Sequence, residues 1–274
     1  MFNELSLENK YFYHNLISFF MFLVCIYAGI KGYLLRDSKI KDKITLFFIS
    51  FCLFQEIMDY ANRFFLDPIY TISIQRDLPF FQFCQISFYF SLICMFLMIG
   101  KNNSFKKNGY VQFLFDCSFL LGFSGAFQGI FTPDFFNINN MLGVICIELQ
   151  HSLIILNLVW LIFAYGFTLK FKGVFFTYLF INIIAPFAIL LNKFLGINSN
   201  GDKANYFYVN ELPKVDNFFL NLVSEYPSPD YIFYIQPIFI VYFISLYVIF
   251  QFSGKMKSIL KYIIFFDFQK NYQV

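Results

Sequence analysis

Seven apolar runs of about 20 residues each set the limits on what this chain can be. They lie at about residues 13–35, 44–64, 79–100, 109–131, 141–168, 173–196 and 231–253. A helix rises about 1.5 Å per residue, so a run of this length crosses a hydrocarbon layer of about 30 Å. The runs predict an all-α polytopic membrane protein, a bundle of about seven transmembrane helices forming a single domain over residues 1–274. Composition agrees, because 59% of the residues are hydrophobic and only 14% are charged, too few to cover a water-soluble surface. A net charge of +3 gives no reason to expect nucleic acid as a partner. Membrane lipids are the expected partners.

The basic residues sort by alternate loops. Lys31, Arg36, Lys39, Lys41, Lys43, Lys101, Lys106, Lys107, Lys170, Lys172 and the tail lysines 255, 257, 261 and 270 fall on one side. Lys10, Arg63, Arg76, Lys203, Lys214 and Lys193 fall on the other, fourteen against six. The positive-inside rule then predicts an outer N-terminus and an inner C-terminus, as an odd number of spans requires. The first run follows Glu4 and Glu8 and has no small-residue cleavage site, so it reads as a retained helix and not a signal peptide. Residues 197–230 are expected to form an extracytoplasmic loop capping the bundle. The mixed apolar and basic tail at 254–274 is expected to lie as an amphipathic segment on the cytoplasmic surface.

Polar residues inside apolar runs mark function more often than anchoring. Gln55, Glu56, Asp59 and Asn62 come late in the second run, and Gln82, Cys84 and Gln85 early in the third. Gln128, Glu148, Gln150, His151, Asn192 and Gln236 all fall in the outer half of this topology, which suggests one wet cavity opening outward. With Pro79 in the opening turn of the third helix, Cys84 would lie five residues inside it, about 8 Å along the axis. Asp116 stands apart in the inner half and has no evident role.

Several readings stay open at this level. The six cysteines lie inside apolar runs with no Cys-x-x-Cys spacing, as buried free thiols would. His14 and His151 are the only histidines, too few for the usual zinc site, and neither a metal nor another cofactor is expected. His151 is either an interhelical hydrogen-bonding group or a catalytic base. Glu148, three residues before it, shares its face and would orient or charge the imidazole. Glu56 and Asp59 form either a proton or cation site or a simple pairing with Arg63. Gly125 and Gly129 read as a packing motif that lets backbones approach closely.

Three segments carry a family resemblance. LPFFQFCQISFYFSLICMFL (78–97), GFSGAFQGIFTPDFF (122–136) and QHSLIILN (150–157), followed by Asn192, Asn205-Tyr206 and Pro213, resemble the YwaF-like bacterial integral membrane proteins in order and spacing. That family is similar to eukaryotic multi-pass membrane acyltransferases and lipid ester hydrolases that pair a Cys or Thr nucleophile with a His on another helix. The resemblance implies a bacterial plasma-membrane protein with Cys84 as nucleophile and His151 as its base. Gln82 stands where many relatives have a histidine, and an extra Phe follows Pro79.

Three functions compete. In the first, a lipid acyltransferase or ester hydrolase, His151 takes the Cys84 proton, Glu148 orients it, and Gln82, Gln85 or Asn192 supplies donors to a developing oxyanion. In the second, a transporter or binding protein, a small polar solute or cation is held by Glu56, Asp59, Glu148 and His151. The third is a non-catalytic membrane assembly or lipid-homeostasis factor.

Overall fold

The computed structural model describes residues 5–270 other than 68, 80, 102–104, 106–107, 136–137 and 214, with side chains as far as Gly254. The runs form helices α1 (Leu7–Leu34), α2 (Ile40–Ala61), α3 (Phe83–Met98), α4 (Gly109–Ser124), α5 (Ala126–Phe131), α6 (Met141–Ala164) and α7 (Phe171–Leu195). Short helices α8 (Phe218–Asn221) and α9 (Tyr231–Tyr234) lead into the long α10 (Gln236–Lys270). A π-helical turn at Asn62–Leu66 extends α2, and a 3-10 turn at Tyr206–Tyr208 lies in the loop after α7. Six helical segments, Leu7–Leu34, Ile40–Leu66, Gly109–Phe131, Met141–Ala164, Phe171–Leu195 and Tyr231–Gly254, are long and apolar enough to cross a membrane. The chain is an all-α polytopic membrane protein, with α3 as a shorter seventh apolar helix.

Side-chain caps fix several helix starts. Ser6 accepts from the Asn9 N–H at 3.3 Å, Asn108 from Tyr110 at 2.9 Å, and Asn140 from Gly143 at 2.8 Å. Gly196 closes α7 with φ +59, a value that favours a residue without a Cβ.

α6 is the axis of the bundle and touches α1 to α5. It is buried on nearly every side, from Gly143 and Cys146 through Asn157 to Trp160 and Ala164, as a helix ringed by others must be. α1 turns Phe12, Phe19, Phe22 and Tyr27 outward and packs its small residues inward. A Cβ on Gly32 would sit 3.1 Å from the Ala164 backbone nitrogen, so glycine permits that close crossing. Polar links tie the interior together: Asn157 donates to Ser91 at 3.1 Å, and Trp160 donates to Thr45 at 2.8 Å.

The polar second half of α2 faces inward as expected, with Gln55, Asp59 and Asn62 all buried. Asp116 acquires a role: its Oδ1 accepts from the Lys170 N–H at 3.2 Å and from Gln112 at 2.8 Å, so α4 caps the start of α7. All six cysteines are free, and Cys52, Cys94, Cys117 and Cys146 are buried.

Three boundaries differ from the sequence reading. α3 begins at Phe83 and not at Pro79, with Gln82 extended at φ −135 and ψ 152. The preceding segment is held out of the helix: Leu78 N–H donates to the Tyr206 hydroxyl at 2.9 Å, and Phe207 N–H donates to Phe81 O at 3.0 Å. Non-helical backbone at this depth survives because protein surrounds and satisfies it. The fourth run breaks at Gly125 into α4 and α5. Beyond Gly254 the backbone of α10 continues as helix to Lys270, so the segment expected to lie flat on the inner surface has most of its side chains outside the described residues.

Candidate functional site

α3, α5 and α6 meet at the end of the bundle that carries the loops 67–82, 132–140 and 196–230. A cavity of about 430 Å³ opens there. Gln82, Phe83, Cys84 and Gln85 supply one wall, Gly125, Gln128 and Gly129 another, Gln150 and His151 a third, and Phe207, Tyr208 and the start of α10 the remainder. Ile181, Ala185, Ile238 and Phe239 make much of the lining apolar.

Cys84 sits in the first turn of α3, not five residues inside it. The N–H groups of that turn have no intrahelical acceptor, and Gln82 forms no side-chain cap.

The Gly125–Phe131 segment lies against both Cys84 on α3 and His151 on α6. A Cβ on Gly125 would lie 2.9 Å from the Cys84 backbone nitrogen, and one on Gly129 would lie 2.6 Å from His151 Cε1. Gly129 N–H donates to Gly125 O at 2.8 Å, so the two glycines are successive turns of one helix face, about 6 Å apart along the axis. The glycine pair is therefore more than a packing motif, for it is the surface on which Cys84 and His151 both lie. His151 forms no hydrogen bond with a described residue, which leaves its ring nitrogens open to the cavity.

Several residues expected at the site are engaged elsewhere. Glu148 is fully buried and does not orient His151 by hydrogen bonding; its Oε2 lies 2.9 Å from His14 Nδ1, and its Oε1 accepts from Ser152 at 2.7 Å. His14 Nε2 lies 2.9 Å from Ile130 O, which can only accept, so that nitrogen carries a proton. Sharing a face with His151 places Glu148 near it, but α1 supplies the partner that its carboxylate takes.

Asn192 does not line the cavity. Its amide donates to Tyr206 O at 3.1 Å and accepts from Tyr206 N–H at 2.9 Å, a two-way clamp on the loop that uses both side-chain ends. Glu56 stands behind the wall, accepting from Tyr89 at 2.5 Å and from Gln150 at 2.9 Å. Asp59 pairs with Arg63 at 2.6 Å, the simpler of the two readings open for it. The four groups considered for a solute or cation are thus divided, and only His151 faces the main cavity. Among the described residues no group of three or more His, Cys, Asp or Glu side chains is placed to hold a metal ion.

A second chamber of about 240 Å³ adjoins the first. Asp59, Asn62, Asp67, Tyr70 and Asp77 line it, and it shares Arg63, Arg76, Asp134, Ile147 and Tyr208 with the main cavity. Arg63 is fixed by Asp59 and by Asp77 at 2.9 Å, and Arg76 by Asp202 at 2.9 Å. Arg63 was legible only as a partner for Asp59, and neither Arg76 nor Tyr208 carried a sequence signal, because each reaches the site from a loop.

No curated protein and no solved structure matches the chain significantly. A family model does, and it spans residues 6–247, from the start of α1 into α10 and across every wall of the cavity. With the greater part of its length covered, this chain belongs to the TMEM164 family.

Proposed function

We propose that this protein is a lipid acyltransferase or lipid ester hydrolase, embedded in a bacterial plasma membrane, in which Cys84 is the nucleophile and His151 its base. One observation carries the reading: Cys84 and His151 line the same cavity, set against Gly125 at the break before α5 and Gly129 four residues on. The likeness of residues 78–97, 122–136 and 150–157 to YwaF-like proteins, and through them to lipid acyltransferases, supports it. The fourteen-to-six bias of basic residues supports an outer position for the cavity.

The chemistry follows from the residues. The His151 imidazole accepts the Cys84 proton as sulfur bonds to the ester carbonyl carbon, and the carbonyl electron pair moves onto oxygen. Collapse of the tetrahedral species breaks the carbon–oxygen ester bond, and the departing alkoxide takes the proton back from His151. A second hydroxyl then attacks the thioester. It gives its proton to His151 and expels the sulfur, which recovers that proton. Water as the second hydroxyl gives hydrolysis, and a lipid hydroxyl gives acyl transfer. Gln82, Gln85 and Gln150 make the polar floor, and the apolar wall of α7 and α10 takes the chain.

Full-length protein in native membranes is treated with an alkyne-tagged long-chain acyl thioester, and protein-bound label is read before and after hydroxylamine. Cys84→Ala should abolish the hydroxylamine-sensitive label, and His151→Ala should slow it by about 10²-fold or more, the usual weight of a general base. Undiminished labelling of Cys84→Ala rules the assignment out.

A further inference from the structure

Attack by Cys84 leaves negative charge on the carbonyl oxygen, and that oxygen needs a donor. Gln82 and Gln85 line the cavity on the α3 side, and a second element supplies another donor. The loop after α7 brings one in by an unusual route. Phe207 and Tyr208 both have positive φ, 56 and 51, in the left-handed region that bulky residues avoid. Strain of this kind persists only where the surroundings over-determine it, and it gathers at working sites.

Here the surroundings do so. Phe207 N–H donates to Phe81 O at 3.0 Å, Tyr208 N–H donates to Asn205 O at 3.2 Å, and the Tyr231 hydroxyl donates to Tyr208 O. Asn192 clamps Tyr206 one residue earlier. The fixed turn makes both aromatic rings part of the cavity wall, and Tyr208 stands where the two chambers join. Tyr208, Cys84 and Asp134 all line the main cavity. The hydroxyl has no hydrogen-bond partner among the described residues, although its carbonyl is held by Tyr231. An ordinary phenol is neutral throughout the physiological range, so the hydroxyl remains a donor.

We propose that Tyr208 is a further catalytic residue, whose hydroxyl donates a hydrogen bond to the acyl carbonyl oxygen as Cys84 attacks. The proposal rests on the acyl-transfer reading above. A strained turn is the means by which a loop residue is held rigidly enough for the task.

The test uses the full chain in dodecyl maltoside micelles with p-nitrophenyl palmitate, whose nitrophenolate burst reports acylation of Cys84. Tyr208→Phe keeps the ring and should lower the burst rate by about 10²-fold, as loss of one oxyanion donor does, with KM near the wild-type value. Incorporation of 3,5-difluorotyrosine at 208 makes a more acidic donor and should raise the burst rate at a pH where that phenol is neutral. A ring needed only for packing would leave this second rate unchanged. Should Tyr208→Phe fail to fold, the sign of the fluorotyrosine effect decides alone. A wild-type burst rate in Tyr208→Phe, with Cys84→Ala inactive, removes Tyr208 and leaves the Cys84 assignment standing. An undiminished burst in Cys84→Ala removes both.

Discussion

Gly129 shows how much one missing Cβ can decide. Its Cα lies against the His151 ring, and a methyl group there would stand 2.6 Å from Cε1. The ring is the far end of a movable side chain beside a cavity, so it would shift with little loss of packing. Gly129→Ala should therefore cut the acylation rate, by about 10²-fold if the imidazole moves by about 1 Å. The unfolding midpoint in detergent should fall by only about 2–4 °C for each kcal/mol lost. Thioester labelling and a thermal melt on the same preparation separate the two effects, and an unchanged labelling rate would mean that Gly129 does not set the ring. The glycine spacing was plain in the sequence, but its neighbour was not. The same holds for Glu148, whose i,i+3 relation to His151 was legible while its contact with His14 was not. That contact joins positions on α1 and α6 that no local pattern relates.

At the scale of elements, the start of α3 and the loop after α7 form one unit. Tyr206 is its hub: its hydroxyl donates to Ile74 O at 2.6 Å and accepts from Leu78 N–H, while its backbone is held by Asn192. Burial lifts its phenol to about 12, so it too remains a donor throughout the physiological range. Asn192→Ala would leave the buried Tyr206 N–H unpaired and Tyr206 O with only the Val209 N–H at 3.4 Å, a loss of about 1–3 kcal/mol for the orphaned N–H. Cleavage within residues 197–230 by an added protease should speed up by about tenfold for each 1.4 kcal/mol of that loss, with the helices left intact. A wild-type digestion rate would show that the clamp does not hold the loop. The helical runs themselves were readable, since the apolar length of α1, α2, α6 and α7 is a local property. The break at Gly125 and the late start of α3 were not, because each is imposed by a neighbour. Pro79 is a good first-turn residue, yet the hydrogen bonds to the Tyr206 hydroxyl and from the Phe207 N–H keep its segment out of the helix.

Over the whole molecule, the basic loops collect at one end. Tyr165 donates to Asp42 at 3.0 Å, Gln112 to Thr168 O at 3.0 Å and Gln251 to Leu169 O at 2.9 Å, tying the 35–42 and 165–170 turns and α10 together there. The cavity lies at the other end. In right-side-out spheroplasts carrying a background without reactive cysteines, Asn200→Cys should react with an impermeant maleimide, and Ser38→Cys only after permeabilisation. The reverse pattern would turn the protein over and move the cavity to the cytoplasmic face. The sequence by itself determined the helical class, the inward face of α2 and the grouping of charge, because a bilayer demands internal backbone satisfaction and reads hydropathy along the chain. Only the tertiary structure decided that Cys84 opens a helix, that Asn192 grips a loop and that Tyr208 enters the cavity. Those facts depend on contacts between distant segments, such as the 128 positions between Leu78 and Tyr206, and no periodicity in the chain encodes them.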